Sequence, residues 1–315
     1  MKLETTIPLH PERNQIDYNS KVLLLGSCFA ENIGGKLDYF KFQDLVNPFG
    51  IIFHAVAIER LVIRAINKEV FTPEDIFFQN ERWHCYEVHS DLSASTEEAL
   101  LGNLNTALEQ LDSAINSASH IVFTFGTAWV YRHITSDTVV ANCHKVPQKQ
   151  FLKELLSVEE VSASIDSTIT LIQSVNTAAV FIGTISPVRH IKDGITENAR
   201  SKAHLLAGLH ELIEPKKGIH YFPSYELMID QLRDYRFYSE DLIHPNKTAI
   251  EIIWEAFSEV WIDQNTSETQ KEIGNIQTGL AHRPFNPKSE FHQLFLVGLQ
   301  NKITTLQERL PHVAF

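Results

Sequence analysis

Five short apolar runs recur along the chain, each separated from the next by a longer amphipathic stretch. This alternation limits the fold more than any other feature. The runs are KVLLL (21–25), FQDLV (42–46), HIVFTF (120–125), AAVFIGT (178–184) and IHYFP (219–223). Their β-branched and aromatic content and their apolar faces on both sides predict buried strands of a parallel sheet. The intervening stretches carry helical spacing. Examples are 54–67, 97–117, 157–176, 201–213 and 246–261, where Ile250, Ile253, Trp254 and Phe257 fall on one face. Strand, helix, strand in repetition means βαβ crossovers, with helices covering both faces of the sheet.

Two segments interrupt the rhythm. Residues 71–93 hold FFQNERWHCYEVHS, expected as a strand excursion, and 129–143 reads as a hairpin turning at Thr135–Thr138. Both leave the C-terminal edge of the sheet, where insertions shape a site. The expected organisation is one domain over 1–262, with insertions near 71–93 and 129–150. A C-terminal segment over 263–315 follows, read as a polar linker near 263–277 and a final helix near 287–309. That extension is expected to pack on the domain or to join two copies in a homodimer.

Bulk charge narrows the partners. The formal net charge of −12 over 315 residues speaks against nucleic acid, which attracts a basic face, and against anionic membrane surfaces. The N-terminal stretch has no apolar core of a secretory signal, and no run nears the roughly 20 apolar residues of a membrane span. The expected location is cytoplasmic. Cys28, Cys85 and Cys143 are an odd set without CxxC spacing, so free thiols are expected. The chain has 15 histidines, but no HExxH or HxH pattern, and neither metal nor cofactor is expected.

Three ligand signatures fail in the first strand–helix unit, KVLLLGSCFAENIGG (21–35). There is no GxGxxG. The phosphate-loop pattern fails at Ala30 and Leu37. The GxSxG nucleophile elbow fails because position 25 is leucine. What remains is Ser27 beside Cys28 at a helix start. Either is a nucleophile candidate; otherwise Ser27 is a helix cap and Cys28 an apolar filler. A thiol at a helix N-terminus gains thiolate character from the backbone N–H groups there.

Far along the chain, SEDLIHPNK sets Asp241 and His244 before a helix with two residues between them. At a turn this spacing lets the carboxylate accept the imidazole Nδ1–H, which fixes the tautomer and frees Nε2 as a base. Arg189 and His190, in ISPVRH after the fourth strand, are placed either to bind an anionic or polar substrate group or to form a surface salt bridge.

Taken together, these pieces resemble the SGNH, or GDSL, hydrolase superfamily. More narrowly, LGSCFAENIG resembles the motif that names the GSCFA domain family. The stretches VNPFGI, FGTAWVYR, ANCHKVP, ISPVRH, NARSKAHL and FPSYELMIDQLRDYRFYSEDLIHPN are similar to that family in the same order. The resemblance covers roughly residues 20–260. It implies a flavodoxin-like three-layer α/β/α sandwich with strand order 2-1-3-4-5.

The resemblance also implies roles. Against the superfamily pattern G-D-S-L, Cys28 takes the nucleophile position and Ser27 the aspartate position. Oxyanion donors are implied at the nucleophile's own N–H and at Gly50. A third donor, an asparagine in the block that reads GTAW here, is replaced by Ala128. Asn47, Asn142 or His144 is the candidate substitute. The implied function is acyl transfer from a small-molecule or carbohydrate ester or thioester to water or to a hydroxyl. The other reading is a ligand-binding protein on the same fold, without catalysis.

Overall fold

The computed structural model describes residues 5–315. Its centre is a five-stranded, all-parallel sheet of β1 (Lys21–Gly26), β2 (Gln43–Val46), β5 (His120–Phe125), β9 (Val180–Ile185) and β10 (Ile219–Tyr221). The spatial order is β10-β9-β5-β1-β2. Counted along these five strands alone, that is the expected 2-1-3-4-5. The switch point lies between β1 and β5, where ligands of such sheets collect.

Alternation along each strand sends side chains into two cores. Leu23 and Leu25 of β1 join Ile121, Phe123 and Phe125 of β5 on one face. That face is covered by α2 (Ala55–Ile66), α3 (Glu97–Ser117), α4 (Val158–Val175) and α5 (Ile195–His210). Val22, Leu24, Val122 and Ile182 point the other way. There they meet α1 (Cys28–Tyr39) and α7 (Lys247–Trp261). Between β10 and α7 the chain passes through a short turn, α6 (Ser224–Glu226), and a π-helical turn at Leu227–Gln231. Each fully buried aliphatic or phenyl side chain contributes on the order of 2 kcal/mol. Two filled faces are therefore what hold the sheet. Among the described residues no helix is long and apolar enough to cross a membrane.

Both insertions are β-structure. The first is a hairpin of β3 (Ile76–Gln79) and β4 (Arg82–Cys85). Its tight turn puts Asn80 and Glu81 at φ 49° and 60°. The second is a three-stranded antiparallel sheet, β7-β6-β8. It is built from β6 (Trp129–His133), β7 (Thr138–Val140) and β8 (Phe151–Leu155), so it runs past residue 150. The insertions pack on each other through Tyr86, which sits edge-on to the Phe151 ring and whose carbonyl accepts the Ala141 N–H.

The C-terminal segment differs from expectation. Residues 263–277 are not a linker: α8 (Ser267–Ala281) occupies most of that range and pairs with α9 (Glu290–Arg309) as a helical hairpin. Only Ile273 and Ile276 of α8 are buried. Its apolar stripe is therefore too thin to stand out from the polar residues around it.

Candidate active site

β1 ends at Gly26, whose φ is 142° and where a Cβ would lie 2.1 Å from Thr124 O. Only glycine lets the chain turn out of the sheet this close to β5. Ser27 follows, wholly buried. Its N–H donates to Thr124 O at 2.9 Å, and its hydroxyl accepts the Phe29 N–H at 3.3 Å as the N-cap of α1. Cys28 is the first residue of α1 and is only partly buried. The two neighbours therefore divide the work: the serine hydroxyl is committed to the cap, and the thiol is the group that solvent reaches.

Burial and the charge of Glu31 push the Cys28 thiol pKa up. The backbone N–H groups of Cys28 and Phe29 and the charge of Lys202 pull it down. Lys202, from α5, is a residue that the sequence reading missed. It is buried, and its Nζ donates to Gly126 O and to Ser186 O, both at 2.7 Å. Those carbonyls close β5 and β9. No carboxylate forms a salt bridge with this ammonium among the described residues. Burial lowers its pKa from 10.5 to about 7, against the pull of Cys28. One helix face supports the same loops. The Asn198 side chain accepts the His190 N–H at 2.8 Å, and the Ser201 hydroxyl accepts the Ala128 N–H at 2.7 Å. Buried polar groups at i, i+3 and i+4 of one helix were the available signal.

His190 packs edge-on to Phe53, and its Nε2 is buried without a hydrogen-bond partner. That nitrogen lies 2.9 Å from where a Cβ on Gly126 would be. Burial, then the charges of Lys202 and His244, lower its pKa to about 3, so the ring is neutral.

The Asp241–His244 turn sits before α7. Asp241 Oδ1 accepts the N–H groups of Ile243 and His244, and Oδ2 faces His244 Nδ1 at 2.7 Å. These bonds hold the carboxyl pKa down to about 2. With Nδ1–H donated to Asp241, Nε2 is left free. The turn is tied to the loop after β9: the Arg189 N–H donates to Ile243 O, and its guanidinium donates to Leu242 O while lying 4.1 Å over the Tyr238 ring. Arg189 is thereby a brace for the turn, not a free substrate contact. Helices α1 and α7 lie side by side, joined by the Lys36–Glu251 ion pair, and both begin at the C-terminal edge of the sheet. The Cys28 and His244 regions therefore share one edge of the molecule. Among the described residues no hydrogen bond joins the two side chains.

Other expected donors lie elsewhere or are already used. The Gly50 N–H donates to Asn47 O at 2.7 Å to close the turn after β2, so it offers nothing to an oxyanion. Asn47 Oδ1 accepts the Gly26 N–H at 2.9 Å, and its Nδ2 is buried without a partner. Asn142 and His144 belong to the β-inserts. Asn142 caps the His144 N–H at 2.8 Å, and His144 Nε2 lies 2.7 Å from Cys85 O. They line a separate polar cleft with Arg82 and Lys145. No group of three or more His, Cys, Asp and Glu side chains among the described residues is arranged to hold a metal ion.

Two family models match the chain: the GSCFA family over residues 21–257, and the GSCFA domain protein C-terminal domain over 273–315. No curated protein matches it.

Proposed function

The chain belongs to the GSCFA family, and from that premise we propose that it is an SGNH-type acyl hydrolase or acyltransferase using Cys28. The observation that carries this reading is the partly buried thiol at the start of α1, on the same sheet edge as a tautomer-locked imidazole. In the first half-reaction the Cys28 sulfur attacks the acyl carbonyl, and the thiol proton passes to His244 Nε2. The tetrahedral oxyanion takes hydrogen bonds from the Cys28 N–H, which no intrahelical carbonyl reaches, and from the neutral His190 ring. The bond to the leaving group then breaks, and His244 returns the proton to it. In the second half-reaction water or an acceptor hydroxyl, deprotonated by His244, attacks the thioester and frees the thiolate, which regains the proton. Asp241 fixes the His244 tautomer throughout. The buried ammonium of Lys202 favours negative charge at Cys28 at both stages. The turn at 239–246 closes on Cys28 when substrate binds, as catalytic hydrogen bonds often tighten only in the complex.

A second reading, a non-catalytic binder of an acylated or sugar ligand, draws on the raised thiol pKa and on Ala128 in place of a side-chain donor. Treatment with iodoacetamide and, separately, with a fluorophosphonate distinguishes the two. A Cys28 adduct that depends on His244 supports acyl transfer. A Ser27 adduct moves the nucleophile. No adduct on either leaves the binding role.

A further inference from the structure

The α8–α9 hairpin has two halves with different surroundings. Leu299, Ile303 and Leu306 in the C-terminal part of α9 are buried in the domain core. The N-terminal part overhangs. Phe291 is 88% exposed, Leu294 63% and Val297 59%, with Phe295 and Leu296 also exposed, and Phe285 in the connecting loop is fully exposed. Residues 291–299, FHQLFLVGL, contain no Asp, Glu, Lys or Arg. At 100° per residue, positions 291, 294, 295, 296 and 297 cover the whole circumference of the helix. A helix that is apolar all round belongs inside a packed bundle.

The area is what decides. Taking about 200 Å² for a fully exposed aromatic and less for the aliphatics, these six side chains present roughly 700 Å² to solvent. That exceeds the ~300–600 Å² of the largest apolar patch on an ordinary monomer and approaches the ~800 Å² that each partner buries in a standard interface. The hairpin is also pre-shaped. Leu299 lies 2.9 Å from where a Gly279 Cβ would be, which sets a close helix approach, and the rings of His282, His292 and Phe295 cluster, with His292 stacked on Phe295 and His282 edge-on to it. An interfacial membrane helix would need a charged face opposite its apolar one, and this segment has none.

We propose that the overhanging half of this hairpin is a homodimer interface, where the hairpins of two copies pack about a twofold axis as a four-helix bundle. Both copies present the same patch, so a closed dimer covers both and leaves nothing to propagate. The occupant is a second copy because one hairpin supplies half a bundle and nearly a full interface side. Gln277 on α8 reaches Tyr39 O, at the end of α1 remote from Cys28. The bundle therefore leaves the candidate site open, and the proposal is independent of the acyl-transfer reading.

Sedimentation velocity across the micromolar range tests it. The intact chain is expected at twice 35.9 kDa, and the double variant Phe291→Glu/Leu294→Glu at the single-chain mass. The variant's circular dichroism and melting should be unchanged, because both side chains face solvent. The substitution is expected to weaken association by ~10²-fold or more. Leu294→Cys, oxidised, should in addition trap a covalent dimer. A single-chain mass for the intact chain at every concentration overturns the proposal, as does a dimer that survives the double substitution. Flotation of a monomeric chain with mixed neutral and anionic phospholipid vesicles, lost in the double variant, would assign the patch to lipid and also overturn it.

Discussion

The Lys202 ammonium lies 2.7 Å from the Gly126 carbonyl oxygen, and a second bond of the same length ties it to Ser186. One buried cation thus joins the ends of the two strands that flank the candidate site, and its charge acts on Cys28. Replacing it with an uncharged residue of similar length, Lys202→Met, should slow Cys28 alkylation at and below about pH 7, where the ammonium carries its charge. There each unit by which the charge depresses the thiol pKa is worth about tenfold in rate, equivalent to ~1.4 kcal/mol. The plateau rate at high pH, where the amine is neutral, should hold. An unchanged rate near neutral pH, read by iodoacetamide kinetics and peptide mapping, would separate Lys202 from the thiol.

Lys202 also makes stability depend on pH. Its pKa falls from 10.5 to about 7 on folding. Between those values the unfolded chain binds a proton that the native one does not, so stability rises with pH by up to about 1.4 kcal/mol per unit. Above pH 9 the buried cysteine thiols, raised in the fold, oppose this. Urea midpoints between pH 7 and 8.5 should climb for the natural chain and climb less for Lys202→Met. Parallel curves would mean that Lys202 keeps its proton.

Buried histidines set the acid limit. Burial lowers His190 to about 3, and His54 and His144 to about 4, from 6.5. Below pH 6.5 the unfolded chain takes up protons that these rings refuse, so stability falls as pH drops toward 4. Asp44, raised by burial to about 7, works the other way, adding stability as pH falls from 7 to 3.8. Three groups against one predict net acid destabilisation. His54 Nδ1 caps α2 by accepting the Ala57 N–H at 3.2 Å, so His54→Asn, which keeps a capping oxygen, should flatten the acid limb. A urea midpoint constant from pH 6.5 to 4.5 would contradict this.

Asp241→Asn removes the negative charge that locks His244, and an amide oriented by its own turn no longer specifies the tautomer. On the best aryl ester or acyl thioester, turnover should fall by ~10²-fold or more. Melting should barely change, because both residues are about half exposed. Full activity in this variant would remove the dyad from the mechanism.

Gly126→Ala tests His190. The new methyl would meet Nε2 at 2.9 Å, so the ring must move away from the loop that closes β5. The expected result is a lower kcat with little change in KM, since a donor to the developing oxyanion acts mainly in the transition state. Equal loss in both would indicate a disturbed substrate pocket instead.

The sheet was legible because buried parallel strands leave apolar runs, its strand order because the resemblance to a known superfamily implied it, and Asp241–His244 because its spacing is local. The nucleophile pair was legible as a place but not as a choice, since only the cap geometry tells a buried Ser27 from a reachable Cys28. Lys202 was hidden because a lysine in a helix usually extends into water, and nothing nearby in sequence marks the two carbonyls that it reaches. The turn at Asn80–Glu81 was hidden because two left-handed residues close a hairpin without glycine. Helix α8 looked like a linker because two isoleucines alone face the core.

The most direct test of the whole account is to quench the protein within the first turnover of an aryl ester or acyl thioester and find the acyl group by peptide mass. One acyl adduct is expected on Cys28, abolished in Cys28→Ala and accumulating poorly in His244→Ala. An acyl group on Ser27, or a turning-over enzyme with neither residue ever acylated, would contradict it.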